Sequence, residues 1–480
     1  MDAEVLTEEE GKSNGASDLS AILEPKSVAV IGASTNIEKI GHKVLKNIVE
    51  AGFRGAIYPI NPRADEILGL KAYPSVLDVP GEVDVAVIIV PARAVTPVIE
   101  ECVQKEVRGA VIISSGFRDV GPRGAALEKT VLEIARKGGL RIIGPNCQGI
   151  SNPQIGFCAT WPLIKNVGNV SVISQSGSIA VELPLFLSRN ELGCSKVIAL
   201  GNKSDIDEAD LIESLTDDEL TKVIAVYTEG VSDGRRLMRA IKDVSQKRPV
   251  LILKGGKTEA GKRAVLAHTG ALAGSMEIFE AAIKQSGGIC VQDLEELCDA
   301  AKVFSTLPIP RGNKLLIITS SGGSGILSSD ACEGAGLVLS NLSGSTKTKL
   351  RENLPAWCIF RNPLDLTGNV LNDVQQYNMT LKIALNDKSV DSVLLIFGDP
   401  ILNAFEAVID EIKKGLSLGV PVAVTYLGGA EIQIEETRKF QKSGIPVFPT
   451  PSRAVVALGY LNKYSECLLK LKKIMGRGAV

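Results

Sequence analysis

Short runs of β-branched and aliphatic residues alternate with longer amphipathic segments along the whole chain. That alternation predicts parallel sheets covered by helices on both faces. The runs "SVAVIGA", "AIYPIN", "VDVAVIIVP", "GAVIISSG" and "LRIIGPN" form a first set that ends near residue 150. "NVSVISQSG", "KVIALG", "KVIAVYTEG", "PVLILKGG" and "GICVQD" form a second set. A third set begins after the proline-rich "TLPIPRGN" and reads "KLLIITSSGGSG", "LVLS", "SVLLIFGD", "PVAVTYLGG" and "IPVFPT". The expected organisation is α/β, with three consecutive parallel-sheet domains over 20–150, 151–310 and 311–480. Residues 1–19 are polar and acidic and are expected to form a loose tail or docking arm.

Composition sharpens this picture in two ways. Hydrophobic residues make up 45% of the 480 but aromatics only 4%, so the cores must be built from Val, Ile, Leu and Ala. The formal charge of −2 gives no sign of a nucleic-acid or acidic-membrane partner. Nine scattered cysteines without a CxxC, and no signal peptide, suit buried free thiols in a reducing cytoplasm. No apolar run reaches the roughly 18 residues that a membrane span needs.

One element occurs three times: a buried strand, then small residues, then a helix. The copies are "VAVIGAS", "VSVISQSGS" and "LLIITSSGGSG". Each would place free backbone N–H groups at a helix N-terminus beside the carboxyl edge of a sheet, where α/β folds bind anions. Small residues also make tight turns. The hydroxyls of Ser176 and Ser178 and of Ser321 and Ser324, around Gly177, Gly322 and Gly323, add donors that packing does not need. The first copy looks like the opening of a Rossmann unit, but Ser34 stands where the second glycine of the dinucleotide fingerprint belongs. The second strand ends at Asn61 and Arg63 rather than at an acid. A cation there suits a ribose phosphate, as in coenzyme A or NADP, better than NAD. "VPAR" (90–93) and "SSGF" (114–117) would line the same sheet edge. His42, in the first helix, reads as a surface residue.

The other histidine stands in an unusual place. "KGGKTEAGKRAVLAHTGALAGS" (254–275) separates a clear strand from a clear helix by about twenty residues, against the roughly 2–6 usual in such folds. It reads as a long, glycine-punctuated, cationic arm around His268. Metal ligation would need further ligands, and no second histidine or Cys pair stands nearby, so no metal site is expected. A lone histidine on a mobile cationic arm suits carrying a phosphoryl group, its imidazole attacking phosphorus and later releasing it. Such a ring needs a carboxylate on its other nitrogen and N–H donors for the phosphoryl oxygens. Glu229 in "VIAVYTEGVSDG", at the end of a strand beside "PVLILKGG", is the candidate carboxylate.

Together these residues resemble the nucleoside-diphosphate-forming acyl-CoA synthetase superfamily, which includes succinyl-CoA synthetase. Within it the likeness is greatest to the α-type subunit of ADP-forming acetyl-CoA synthetases, over roughly residues 20–465. "AHTGALAG" around His268 matches the phosphohistidine segment, and "GPNCQGI" (144–150) and "SQSGS" (174–178) match the ends of the CoA-binding and ligase domains. The resemblance implies an N-terminal Rossmann-like CoA-binding domain followed by two flavodoxin-like ligase domains. It implies an acid–CoA ligase that converts acyl-CoA, ADP and phosphate to acid, ATP and CoA. An acyl phosphate, such as acetyl phosphate, forms first, then a phosphohistidine at His268 on a swinging loop, then ATP. It implies that Glu229 hydrogen-bonds the phosphohistidine and that Ser176, Gly177 and Ser178 hold phosphate. Ser321, Gly322, Gly323 and Ser324 match a second phosphate-binding turn, and "NPLDLTG" (362–368) also fits the family. Gly32, Ala33, Ser34, Thr35 and Asn36, with Arg63, Ile113, Ser114 and Ser115, match contacts to CoA. No ATP-grasp region for ADP, ATP and Mg2+ is found before the sequence stops at Val480. The resemblance therefore implies a separate ATP-grasp β-type subunit, as two α with two β chains. The competing expectations are an NADP-dependent oxidoreductase and a non-catalytic CoA-binding regulatory protein.

Overall fold

The computed structural model describes residues 19–269 and 274–475. The expected tail therefore lies outside the described residues, apart from Leu19, which is buried.

Three main sheets follow one another along the chain. The first contains β1 (Ser27–Ile31), β2 (Ala56–Ile60), β3 (Val85–Ile88), β4 (Gly109–Ile112) and β5 (Arg141–Ile143), in the order β2-β1-β3-β4-β5, all parallel. Every residue of β1 and β3 is buried, as strands covered on both faces must be. Each fully buried Val or Ile contributes about 1.5–3 kcal/mol relative to exposure, and here that replaces aromatic bulk.

The second sheet contains β6 (Ile150–Asn152), β7 (Phe157–Ala159), β8 (Val167–Ser174), β9 (Cys194–Ala199), β10 (Val223–Thr228), β11 (Val250–Lys254) and β12 (Ile289–Val291). Its order is β12-β11-β10-β8-β9-β6-β7, and only β6 runs antiparallel to its neighbours, β9 and β7. The third contains β13 (Lys314–Thr319), β14 (Val338–Leu339), β15 (Leu364–Asp365), β16 (Ser392–Phe397), β17 (Val422–Tyr426) and β18 (Val447–Phe448), in the order β14-β13-β16-β17-β18, with β15 paired to β13.

In each sheet the chain winds first to one side and then to the other. The reversal falls between β1 and β3, between β8 and β10, and between β13 and β16. Crevices at the carboxyl ends of strands flanking such a reversal are where open α/β sheets bind ligands. The three small-residue turns lie at these three places. The 25-residue helix Pro451–Met475 packs on the helices Leu294–Thr306 and Gly322–Ala335 and joins the second sheet's layer to the third. Lys302 belongs to that seam. Its Nζ donates to Val447 O at 2.9 Å and lies 3.9 Å from the Phe448 ring centre, and burial pushes its pKa down to about 8.

Three expectations need correction. The arm after Lys254 is not one long loop, because Glu259–Thr269 is a helix. Glu, Ala, Lys, Arg and Leu, all strong helix formers, outweigh the single Gly261, and Glu259 pairs with Lys262 one turn on at 2.7 Å. His42 is not on the surface. It is buried, with Nδ1 2.8 Å from Ser34 O, because it shares the core face of helix Ile40–Glu50 with Leu45 and Ile48. The first small-residue turn does not open directly into a helix, since residues 32–39 intervene before Ile40.

Candidate active site

At the reversal of the first sheet β1 is followed by Gly32, whose φ is +95°. A Cβ there would lie 2.4 Å from Ile89 O, so only glycine fits. The following turn is held from within. Asn61 Nδ2 donates to Ala33 O at 2.7 Å, His42 holds Ser34 O, and Ser34 Oγ accepts the Asn36 N–H at 3.1 Å. Thr35 and Asn36 are exposed. Arg63 is exposed beyond β2, and its backbone N–H donates to Asn61 Oδ1 at 2.8 Å. β4 runs on into buried Ile113, half-buried Ser114 and exposed Ser115, and Ser114 Oγ donates to Val90 O.

A cleft of about 480 Å³ lies between this edge and the second sheet. One wall is Val90, Pro91, Ile113, Ser114 and Ser115; the other includes Gln148, Gln175, Gly177 and Gly201. The structure thus brings part of the expected CoA edge and the start of helix Gly177–Arg189 to one opening. That helix start has no side-chain cap, and the Ser176 and Ser178 hydroxyl oxygens lie 3.0 Å apart. Its first N–H groups have no intrahelical partner, as at every helix start, and here they adjoin the cleft. Of the expected residues only Ile113, Ser114, Ser115 and Gly177 line the opening; residues 32–36, Arg63, Ser176, Ser178 and 321–324 do not.

Glu229 is buried at the end of β10, next to this helix start. Its N–H donates to Gln175 Oε1 at 2.8 Å, and Tyr227 OH donates to its Oε1 at 3.4 Å. Burial, with the charge of Glu229 added, pushes the Tyr227 phenol up to about 12, so it stays a donor. Two buried lysines brace the segment. Lys203 Nζ meets both Glu208 oxygens at 2.9 Å and also donates to Gly230 O. Lys254 Nζ donates to Gly255 O at 3.0 Å and Glu229 O at 3.3 Å. Burial, with repulsion from Lys203 and Lys262, holds its ammonium below the ordinary lysine range. The backbone of His268 is in the last turn of the helix Glu259–Thr269, which follows β11 directly beside β10. Its side chain, and residues 270–273 of its motif, lie outside the described residues.

The second serine–glycine turn is built differently. Ser321 Oγ accepts the Ser324 N–H at 3.4 Å and caps helix Gly322–Ala335 itself. Asp365, from β15, stands alongside: a Cβ on Gly322 would lie 3.1 Å from its Oδ2.

Sequence reasoning did not single out Gln175, Tyr227 or Lys203 as functional. Tyr227 and Gln175 lay inside quoted motifs, and their position at a strand end beside Glu229 was the available signal. Nothing in the sequence marks Lys203.

Family models match three stretches: a CoA binding domain over residues 26–153, a succinyl-CoA ligase like flavodoxin domain over 167–304 and a Ligase-CoA domain over 315–469. They define a CoA ligase by class. The chain is 40% identical over 464 residues to acetate–CoA ligase [ADP-forming] I subunit alpha of Pyrococcus furiosus, covering 95% of this chain and 99% of that one. It is 41% identical over 447 residues to acetate–CoA ligase [ADP-forming] I of Archaeoglobus fulgidus, covering 93% of this chain and 64% of that protein. It therefore spans just under two thirds of that relative's length. A solved acetyl-coenzyme A synthetase 1 of Ca. Korarchaeum cryptofilum, in complex with phosphate and ADP, superposes with a TM-score of 0.90 at 36% identity, covering 95% of this chain and 99% of that one. The chain belongs to the ADP-forming acetate–CoA ligase family, as an α-type subunit. None of these likenesses supports an NADP-dependent oxidoreductase or a regulatory CoA-binding protein. No helix of the described residues is long and apolar enough to cross a membrane.

Proposed function

We propose that this chain carries the CoA, acyl phosphate and phosphohistidine steps of ADP-forming acetyl-CoA synthesis and cleavage. The observation that carries the reading is the cleft at which Ser114 and Ser115 face Gln175 and the uncapped start of helix Gly177–Arg189. CoA lies along the edge formed by residues 32–36, Arg63 and 113–115, and its thioester reaches into the cleft. Phosphate, held by Ser176, Gly177 and Ser178, attacks the acyl carbon, and CoA leaves as thiolate. His268 then takes the phosphoryl group from acetyl phosphate, releasing acetate, while the Glu229 carboxylate supports the charged ring.

The phosphohistidine must next reach a nucleotide. Two glycines in the left-handed region, Gly256 (φ +73°) and Gly274 (φ +63°), flank the helix that bears His268. A helix of its eleven residues is about 16 Å long and can swing as a unit about such hinges. ADP and Mg2+ are bound by a separate ATP-grasp β-type subunit, in an assembly of two α and two β chains. Ser321, Gly322, Gly323 and Ser324 form the second phosphate station. Asp365 beside Gly322 repels a bare phosphate, so a phosphoryl group arrives there with a cation. Nine free thiols suit a reducing compartment such as cytoplasm.

The test is phosphoryl labelling. Labelled acetyl phosphate labels the purified chain alone with an acid-labile, base-stable phosphoramidate, and His268→Ala abolishes it. Labelled ATP with magnesium labels it only after the partner is added. Efficient labelling of the lone chain from ATP, or undiminished labelling of His268→Ala, overturns the reading.

A further inference from the structure

Gln175 stands between β8 and the Gly177 helix and is 3% exposed. The two ends of its amide have different fates. Oε1 accepts the Glu229 N–H at 2.8 Å and the Thr228 hydroxyl at 3.3 Å. A backbone N–H only donates, so this contact fixes which end is oxygen. Nε2 is then the remaining end. It is buried and has no hydrogen-bond partner among the described residues. Buried amide donors in native proteins are almost always paired, because leaving one unpaired is destabilising. The residue lines the cleft, next to Gly177 and opposite Ser114. A ligand in that cleft is the natural partner for the amide.

Which ligand atom it meets follows from charge. The helix start and the serine hydroxyls already offer donors suited to a standing negative charge. A neutral, preorganised amide suits an oxygen that becomes negative only in passing. We infer, on the reading that the cleft takes an acyl-CoA, that Gln175 donates its side-chain amide to the acyl carbonyl oxygen. The step balances without redox change. A phosphate oxygen bonds to the carbonyl carbon, and the C=O π electrons move onto the oxygen that Gln175 holds. The tetrahedral intermediate collapses, the C–S bond breaks with its electron pair on sulfur, and the thiolate takes a proton from the phosphate. Gln175 is thereby a catalytic residue of the first step, while its oxygen end positions Glu229 for the second.

The experiment uses the full chain and two unreactive CoA derivatives. In one a methylene replaces sulfur and leaves a ketone where the thioester carbonyl stands. The other is an alkyl thioether of equal length without a carbonyl. The wild-type chain binds the ketone roughly threefold to tenfold more tightly, the worth of one hydrogen bond. Gln175→Met removes that preference and leaves affinity for CoA within about twofold, as befits an amide that does not touch the nucleotide. It also lowers kcat for phosphate-dependent cleavage of acetyl-CoA by roughly 10²–10³, the usual loss for an oxyanion donor. If Gln175→Met fails to fold, Gln175→Glu at pH 8 keeps an oxygen for the Glu229 N–H, lacks the donors and shows the same loss of preference. A wild-type chain indifferent to the carbonyl, or a variant that keeps the preference, overturns the inference while CoA binding still stands. A wild-type chain that binds neither CoA nor either derivative overturns the proposed function as well.

Discussion

At Ser176 and again at Ser321 a buried parallel strand turns through serine and glycine into a helix, and the two turns use their own donors differently. At 176 the serine makes no cap bond to its helix, and the helix start adjoins the cleft. At 321 the serine accepts the Ser324 N–H, and Asp365 stands beside Gly322. A carboxylate near a helix N-terminus is stabilising, because it meets the positive end of the helix dipole. The second turn is therefore largely satisfied from within, whereas the first receives no cap bond from its own serine. The motif letters do not decide this. What decides it is the strand that folds in next door: β10 brings Glu229, whose N–H turns Gln175 oxygen inward, whereas β15 brings Asp365.

The sharpest way to break the comparison is to put a fixed charge on each helix start. Ser178→Asp supplies at the open turn the carboxylate that the other turn already has nearby. Phosphate-dependent cleavage of acetyl-CoA falls by roughly 10²–10³ or more, since the charge occupies the site proposed for phosphate. The same variant melts no lower than the wild type, because a first-turn carboxylate contributes about 0.3–1 kcal/mol to a helix. Ser324→Asp, measured in the same half-reaction, stays within about threefold, since residues 321–324 belong to the third sheet, whereas the cleft lies between the first and the second. Equal losses in the two variants would erase the distinction between the turns.

The next effect in size comes from Glu229. Glu229→Gln preserves the buried shape and the N–H bond to Gln175 and removes the charge. Phosphohistidine formed from labelled acetyl phosphate falls by on the order of ten- to a hundredfold, as when an orienting partner is lost. CoA affinity, read by thermal shift, is unchanged. An undiminished label would return Glu229 to a structural part.

These variants test what the sequence made legible and what it did not. The strand runs, the three sheets and their order along the chain were readable because buried parallel strands need near-continuous aliphatic runs. Glu229 and the 176–178 turn were readable because a strand end beside a helix start is a local feature. His42 was misread although the signal was present, three positions before Leu45 on an apolar stripe. The helix over Glu259–Thr269 was missed because glycines at 255, 256, 261, 270 and 274 were weighed as if all lay within one loop, whereas only Gly261 falls inside the helix. Gln175 lay inside a quoted motif, but the orientation of its amide was not readable there. Which end of its amide is unpaired depends on the Glu229 N–H, more than fifty residues away, and only tertiary packing brings the two together.

Serine-to-alanine changes sharpen the comparison with smaller effects of opposite kind. Ser321→Ala removes a side-chain cap and costs about 1 kcal/mol of stability, read as a lower denaturation midpoint at constant slope. Ser176→Ala removes no cap and leaves the midpoint in place. It raises the phosphate concentration needed for half-maximal cleavage severalfold, as expected for one lost hydrogen bond worth about 1 kcal/mol. If Ser176→Ala destabilised the chain as much as Ser321→Ala, its hydroxyl would be serving the helix rather than a ligand.

The smallest effect is expected at Asp365, and its sign carries the information. Asp365→Asn keeps an oxygen able to accept the Thr367 N–H, which Asp365 Oδ1 holds at 2.8 Å. What it removes is the negative charge beside Gly322. The Gly322 helix loses its favourable dipole partner, so the midpoint falls by an amount worth about 0.3–1 kcal/mol. The acetyl-CoA half-reaction stays within about twofold, because this carboxylate is outside the cleft. Affinity for inorganic phosphate at this turn rises, since the like charge that opposes it is gone. That rise is measured best in the Ser178→Asp background, where the other turn is blocked, as phosphate-dependent stabilisation of the melt. Two carboxylates beside two helix starts would then respond in opposite directions to the same neutral replacement: Glu229→Gln lowers phosphoryl handling, and Asp365→Asn raises anion binding. A loss at Asp365 as large as that at Glu229 would mean that both turns already work as one site within this chain, and the contrast between an open and a self-satisfied helix start would fall.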